Sequence, residues 1–406
     1  MRIAVLTRQI GNYHHARFAA LAEAGIDFAV VSLANEGHFD EFVSDAQGAY
    51  ETHRLYSGKA AYAHAVSEGR VESDVGAALE RIAPDVVAVA GWSCAESFAG
   101  IRWASERGRA LVMMSDSQAE DAARSGLRER IKTRIVGYCD AGFVAGDRHR
   151  DYLASLGIPA ERITLGYDVV DNAHFARGAA AARTDDGATR ERLGLPSGRY
   201  WLASGRFVPK KNLGGLVRAF GEAIGGEGDG PHLCVLGDGE LRDEIERQVA
   251  ESGLSDRVHL LGLRTYDDLP AIYGLAEAFV HPAFNEQWGL VVSEAAASGL
   301  PLLVSETAGA SQLVDSGSNG FTFDPCDPQQ VENALSKVAA LSPEERAVWG
   351  KRSAEIVADW GPDRYVDGLV KASRMALAAR KGPRTITLPD RLLMRHLSRK
   401  IIADVA

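Results

Sequence analysis

Residues 281–305 read HPAFNEQWGLVVSEAAASGLPLLVS. A short apolar run, AFVHP (278–282), ends at His281-Pro282, and a loop follows. A helix of small residues, SEAAASG, then starts near Gly289-Leu290, and a second apolar run, PLLVS (301–305), comes after it. Strand, loop, helix and strand in this order predict two parallel strands joined by a crossover helix.

Outward from this stretch the rhythm repeats. YWLASG (200–205), HLCVLG (232–237) and RVHLLG (257–262) precede it in the second half. The first half supplies RIAVLT (2–7), DFAVVSL (27–33), DVVAVAG (85–91), ALVMMS (110–115), AGFVAG (141–146) and RITLG (162–166). Helical candidates such as Ala16–Ala24, Glu72–Ile82 and Glu96–Glu106 lie between them. The pattern predicts two doubly wound α/β sheets of similar size, with a cleft where their strand carboxyl ends face each other. Its divisions are 1–175, a connection over 176–199 that is rich in Ala, Gly, Arg and Asp, a second domain over 200–360, and a terminal segment over 361–406. Trp360-Gly361-Pro362 interrupts a helix there, because proline cannot continue the hydrogen-bond ladder. The 406 residues are 46% hydrophobic and 25% charged, which excludes gross disorder, collagen and coiled coil.

The net charge of −10 argues against a protein that coats nucleic acid. Residues 380–406 nevertheless carry a net +5, and Arg391, Arg395, Arg399 and Lys400 alternate there with Leu392, Leu393, Leu397, Ile401 and Ile402. That is a basic amphipathic helix, and with RERIKTR (128–134) it suits peripheral contact with an anionic membrane. Cys94, Cys139, Cys234 and Cys326 lie far apart, as reduced thiols in a cytoplasmic protein do. The opening MRIAVLTRQI passes straight into polar sequence and does not read as a signal peptide. No apolar run reaches the roughly 18 residues that a spanning helix needs.

The helix beginning near Gly289 and Leu290 presents free backbone amides to an anion. Glu286 in the loop and Glu294 in the second turn can then hold hydroxyl groups on either side of a diphosphate. In ASGRFVPKKNLGGLVRAF (203–220), Arg206 and Lys211 follow a strand end at Gly205. Two fixed cations beside a glycine that permits close backbone approach suit a leaving diphosphate. GDGEL (237–241) adds a turn at Gly237. No Asp-x-Asp pair, His-Glu-x-x-His motif, Gly-x-Ser-x-Gly elbow or Walker loop occurs, so no metal site, hydrolase triad or phosphate-loop kinase is expected.

Together, NEQWGLVVSEAAASGLPLLVS and the Arg206/Lys211 loop resemble the donor site of retaining glycosyltransferases of family 4. The resemblance covers residue 201 to about 360 and is weaker before that. It implies a GT-B fold, two Rossmann-like domains facing a central cleft, with a C-terminal helix crossing back to an N-terminal acceptor-binding domain. The donor is then a nucleotide diphosphate sugar bound without a metal, and the acceptor a saccharide or lipid-linked hydroxyl in polysaccharide, lipopolysaccharide or glycolipid synthesis. Arg206 and Lys211 would stabilise the departing diphosphate, Glu286 would hold the sugar and Glu294 the ribose. Gly205, Gly289, Leu290 and Gly237 would line the phosphates, and Gly262 to Arg264 would lie by the base. The first half departs from the family pattern. Gly11 stands alone where a paired-glycine loop is usual, and Asp116 stands where many members carry a histidine that meets the sugar. Asp116 takes that role, or His14 and His15 do. Two other readings remain open: a nucleotide-sugar epimerase or phosphorylase on the same fold, and a non-catalytic scaffold.

Overall fold

The computed structural model describes residues 1–34, 50–122, 124–224 and 230–405, and the chain divides into two units, Met1–Val169 with Pro362–Ala406, and Val170–Gly361. The first contains a parallel seven-stranded sheet of β1 (Ile3–Thr7), β2 (Phe28–Ser32), β3 (Glu51–Arg54), β4 (Val86–Ala90), β5 (Ala110–Ser115), β6 (Ala141–Val144) and β7 (Ile163–Leu165), in the order β3-β2-β1-β4-β5-β6-β7. The second contains a parallel six-stranded sheet of β8 (Tyr200–Ser204), β9 (His232–Leu236), β10 (Val258–Gly262), β11 (Ala278–His281), β12 (Leu302–Ser305) and β13 (Gly320–Phe323), in the order β10-β9-β8-β11-β12-β13. Strand order therefore reverses between β1 and β4 and again between β8 and β11. Open α/β sheets receive ligands outside the strand carboxyl ends at such points.

Continuous apolar runs form these strands because helices cover both faces of a parallel sheet. On β1, Ile3 and Val5 join one core and Ala4 and Leu6 the other, as the two-residue repeat of a strand requires. The first of those cores is closed by Tyr365, Val366, Leu369, Ala372 and Ala376 of helix Pro362–Ala379, so the end of the chain completes the first unit. This helix begins at the proline that ends its predecessor, Pro343–Ala358, as the sequence predicts.

Two strands escape the sequence reading. β3 is an edge strand with a largely exposed ETHR sequence, so it has no apolar run to betray it. β13 lies in the turn-rich SGSNGFTF, where a Cβ on Gly320 would come within 1.9 Å of the Leu302 carbonyl oxygen. The stretch 176–199, which reads as a partly helical connection, is helical over Asn172–Thr184 and Asp186–Leu193, and the Asp171 side chain caps the first of these helices by accepting from His174 N at 2.9 Å. Phe175, Ala179 and Ala182 bury one side of it, an apolar set too sparse among alanines to stand out as a stripe.

The terminal helix Leu388–Val405 packs Met394 and Leu397 into the first unit's core. Asp390 is held by Tyr138 Oη at 2.7 Å and Arg134 at 2.7 Å. Leu388 and Leu392 are exposed. The Arg399, Lys400, Ile401 and Ile402 side chains lie outside the described residues. Among the described residues, no helix is long and apolar enough to cross a membrane.

Candidate functional site

In the second unit the chain leaves β8 through Gly205 and Arg206 and leaves β11 through His281 and Pro282, the two strand ends between which the order reverses. A single 3-10 turn, Pro209–Lys211, brings the two exits together. Asn212 ends the turn in the left-handed region, with φ 51°, and its side-chain amide donates to the Pro282 and Pro325 carbonyls at 3.2 Å each. Phe284 N donates to the Lys210 carbonyl at 2.8 Å. These bonds carry Lys211 to Glu286, and the two side chains form a nearly buried ion pair.

His281 completes the group, with Nε2 3.4 Å from the carboxylate oxygen that Lys211 holds. Burial would raise the Glu286 carboxyl, but contact with His281 and the Lys211 ammonium overcome it and hold the group well below the ordinary carboxylate range. Burial also lowers the His281 imidazole, which keeps it neutral. The loop backbone is pinned from the other side, where Gly309 N donates to the Glu286 carbonyl at 3.1 Å and Ala310 N to that of Trp288 at 2.8 Å. Gly289 sits at φ 101° at the start of helix Leu290–Ala297, a conformation that favours glycine, and Leu290 is the first helical residue. Glu294 is buried in the second turn, where Tyr273 Oη donates to its Oε2 at 2.7 Å.

At Gly237 the backbone of the neighbouring strand end comes close. A Cβ on Gly205 would meet only the Lys211 methylenes at 3.4 Å, an ordinary contact. On Gly237, at φ 125°, it would fall 2.1 Å from the Gly205 oxygen. Gly205 N donates to Leu236 O at 3.0 Å and Gly237 N to Gly262 O at 3.0 Å, so the ends of β8, β9 and β10 stand side by side. Arg206 is exposed at the first of them, and Arg264 is half-buried beyond the third.

The first unit's candidates follow β1 and β5, and Arg17 and Asp168 link them. Gly11 caps helix Asn12–Glu23, donating its N–H to His14 Nδ1 at 3.4 Å. Burial and the nearby Arg17 push the His14 imidazole down to about 3. His15 Nδ1 lies 3.3 Å from the Tyr50 hydroxyl. Asp116 follows β5, and burial together with the Asp168 carboxylate pushes it up to about 7. Asp168 is itself paired with the buried Arg17 at 3.2 Å.

Sequence reasoning gave no role to His281, Asn212 or Tyr273. The first lies inside the quoted motif, but a histidine ending a buried strand carries no local sign of its partner. The other two act through contacts 70 and 21 residues away in the chain.

Four histidines give the fold a signed pH response. His14, His281, His232 and His259 all have lowered values, each chiefly through burial, and the last two lie 2.9 Å apart, Nδ1 to Nε2. Groups depressed in the folded state contribute stability that is present above their unfolded value, about 6.5, and is lost as pH falls below it. Asp116 opposes them, because its raised value favours the folded state as pH falls through about 7. His14 and Asp116 carry the two large shifts and oppose each other, so with the carboxyl removed, in Asp116→Asn, melting temperature should decline between about pH 6.5 and 5.5. A melting temperature that rises across that interval would contradict this balance.

A family model described as glycosyl transferases group 1 matches residues 186–356. The alpha-D-kanosaminyltransferase of Streptomyces kanamyceticus is 28% identical over 194 residues, 47% of this chain and 49% of that protein. The chain spans between 15% and about two thirds of the length of the curated relatives it matches, and about half of this one. Among solved structures, a sucrose-phosphate synthase from Thermosynechococcus elongatus superposes with a TM-score of 0.74 at 20% identity, covering 93% of this chain and all of that one. Anabaena HepE in complex with UDP-glucose superposes with a TM-score of 0.69 at 18% identity, covering 93% and 99%. At these identities the likeness establishes the fold, two Rossmann-like domains of the GT-B type.

Proposed function

We propose that this chain, with its group 1 glycosyl transferase region, is a family 4-like retaining glycosyltransferase that moves a sugar from a nucleotide diphosphate donor to an acceptor hydroxyl. The observation that carries this reading is the Lys211–Glu286–His281 group at the carboxyl ends of β8 and β11, where the sheet order reverses. HepE was solved with UDP-glucose, which supports a nucleotide sugar as the donor class.

In this reading the bond between the anomeric carbon and the diphosphate oxygen breaks, and its electron pair leaves with the diphosphate. Arg206, Lys211 and the amides at Gly289 and Leu290 stabilise that developing charge. The acceptor oxygen bonds to the same face of the sugar, and its proton passes to the departing phosphate. Glu286, held as a carboxylate, accepts hydrogen bonds from sugar hydroxyls, and Glu294, oriented by Tyr273, accepts from the ribose. Gly237 and Gly205 shape the phosphate loop, Gly262 and Arg264 lie by the base, and Asp116 and Gly11 serve the first unit's ligand. No metal enters the scheme. The acceptor is a saccharide or lipid-linked hydroxyl in polysaccharide, lipopolysaccharide or glycolipid synthesis at the inner face of the membrane.

The test is the anomeric configuration of the first-formed product, read by proton NMR during turnover. Retention is the expected result. An inverted product, or release of an epimerised or phosphorylated sugar without transfer, would overturn the proposal.

A further inference from the structure

Glu294 stands on helix Leu290–Ala297, and the hydroxyl that orients it belongs to Tyr273, the last but one residue of the short helix Leu269–Gly274. A 2.7 Å hydrogen bond between two separate helices persists only while neither slides along the other. One side chain ties them together. Arg183, near the end of helix Asn172–Thr184, donates from Nε to the Gly274 carbonyl at 2.8 Å and from Nη2 to the Ser298 carbonyl at 2.6 Å. Gly274 directly follows Tyr273, and Ser298 caps the second helix, its N–H donating to the Glu294 carbonyl at 2.9 Å. Both residues are buried, where a backbone carbonyl needs a protein donor.

The charge suits its place. Two helix C-termini turn their partial negative charge toward one guanidinium, and its planar fork spans both carbonyls as a compact ammonium does not. The helix that carries Arg183 is itself locked against Leu269–Gly274. A Cβ on Gly178 would fall 2.4 Å from the Pro270 side chain, and one on Gly274 would fall 2.5 Å from Ala179 Cα. Phe175, on the same helix as Arg183, meets the Tyr273 ring edge-on with centroids 5.9 Å apart. Arg183 therefore holds both helix ends from a fixed base.

We propose that Arg183 is a positioning residue for ribose recognition, bridging the Gly274 and Ser298 carbonyls so that Tyr273 stays against Glu294 and the carboxylate stays aimed at the ribose hydroxyls. The choice of ribose rests on the reading of Glu294 as its partner, whereas the bridge between the helix ends does not.

Isothermal titration calorimetry on the full chain tests this with UDP, GDP, ADP and TDP and with their 2′,3′-dideoxy forms, which lack the hydroxyls that a carboxylate accepts from. The readout is the ratio of dideoxy to parent nucleotide Kd, for whichever base binds. We expect a ratio of at least about tenfold in the unmodified protein, the worth of one hydrogen bond to a charged group, and its loss in Glu294→Ala. Arg183→Met should lower the ratio about fivefold while the dideoxy Kd stays within about twofold, whereas general loosening of the fold weakens both forms together. Added to Tyr273→Phe, Arg183→Met should lower the ratio no further, because both act through one carboxylate. Arg183→Lys keeps the charge without the fork; it should fall between the unmodified protein and Arg183→Met, and it carries the test if Arg183→Met does not fold. An unchanged ratio in the Arg183 variant that folds, or a further fall in the double variant, overturns the proposal while loss of the ratio in Glu294→Ala leaves the ribose reading in place. A ratio that survives Glu294→Ala overturns that reading and the proposal with it, and so does binding of no nucleotide by the unmodified protein.

Discussion

Lys211→Met should lower sugar transfer by about 10²- to 10³-fold, the effect of removing one preorganised partner from a developing anion. The substitution also leaves the nearly buried Glu286 carboxylate without its ammonium partner, so stability should fall as well. A catalytic role and a structural one are separated by the double variant Lys211→Met, Glu286→Gln. Replacing both charges removes that buried carboxylate as well, and the double variant should recover melting temperature relative to Lys211→Met. Transfer should not recover with it. If activity returns together with stability, the ion pair serves the fold alone and the assignment of both residues is wrong.

Gly237→Ala should destabilise the second unit by about 3 kcal/mol or more, combining the strain of φ 125° with a clash that no side-chain rotation relieves. The atom in the way is the Gly205 backbone oxygen, 2.1 Å from the added Cβ, so relief requires β8 and β9 to separate at their carboxyl ends. Gly205→Ala is the control. Its Cβ meets flexible Lys211 methylenes at 3.4 Å, and its cost should stay below about 1 kcal/mol. Urea unfolding of both variants checks this ordering. Equal midpoints for Gly237→Ala and the parent would mean that the loop does not depend on this approach.

What could be read in the sequence follows from how each element is buried. Strands such as β5 and β12 are covered on both faces, so their sequences are unbroken apolar runs, and the small-residue helix after Gly289 shows where that helix packs closely. β3 is exposed at a sheet edge and leaves no such trace. In the second unit, Glu286, Lys211, Arg206 and Glu294 were named because they stand in short motifs around strand ends. That Lys211 and Glu286 are each other's partner is a consequence of Asn212 tying two exits together across 70 residues, which no local pattern reveals. Arg124 precedes helix Gly126–Val136, Lys132 stands in the basic stretch 128–134 on that helix, and Tyr152 lies on helix Asp147–Ser155. Only the fold brings their charges onto one hydroxyl. That Gly237 has no room for a Cβ is likewise set by the Gly205 backbone on the neighbouring strand, which no local pattern reveals.

The central claim is that the second unit binds a nucleotide diphosphate sugar through Lys211 and Glu286. It is tested most directly by melting the protein with UDP-, GDP-, ADP- and TDP-linked sugars, each compared with the double variant Lys211→Met, Glu286→Gln. A ligand present at a hundred times its Kd stabilises the folded state by about 2.7 kcal/mol, or roughly 5–10 °C for a unit of this size. At least one donor should raise the parent's melting temperature by that order and leave the double variant nearly unmoved. No shift with any donor, or the same shift in both proteins, would contradict the account.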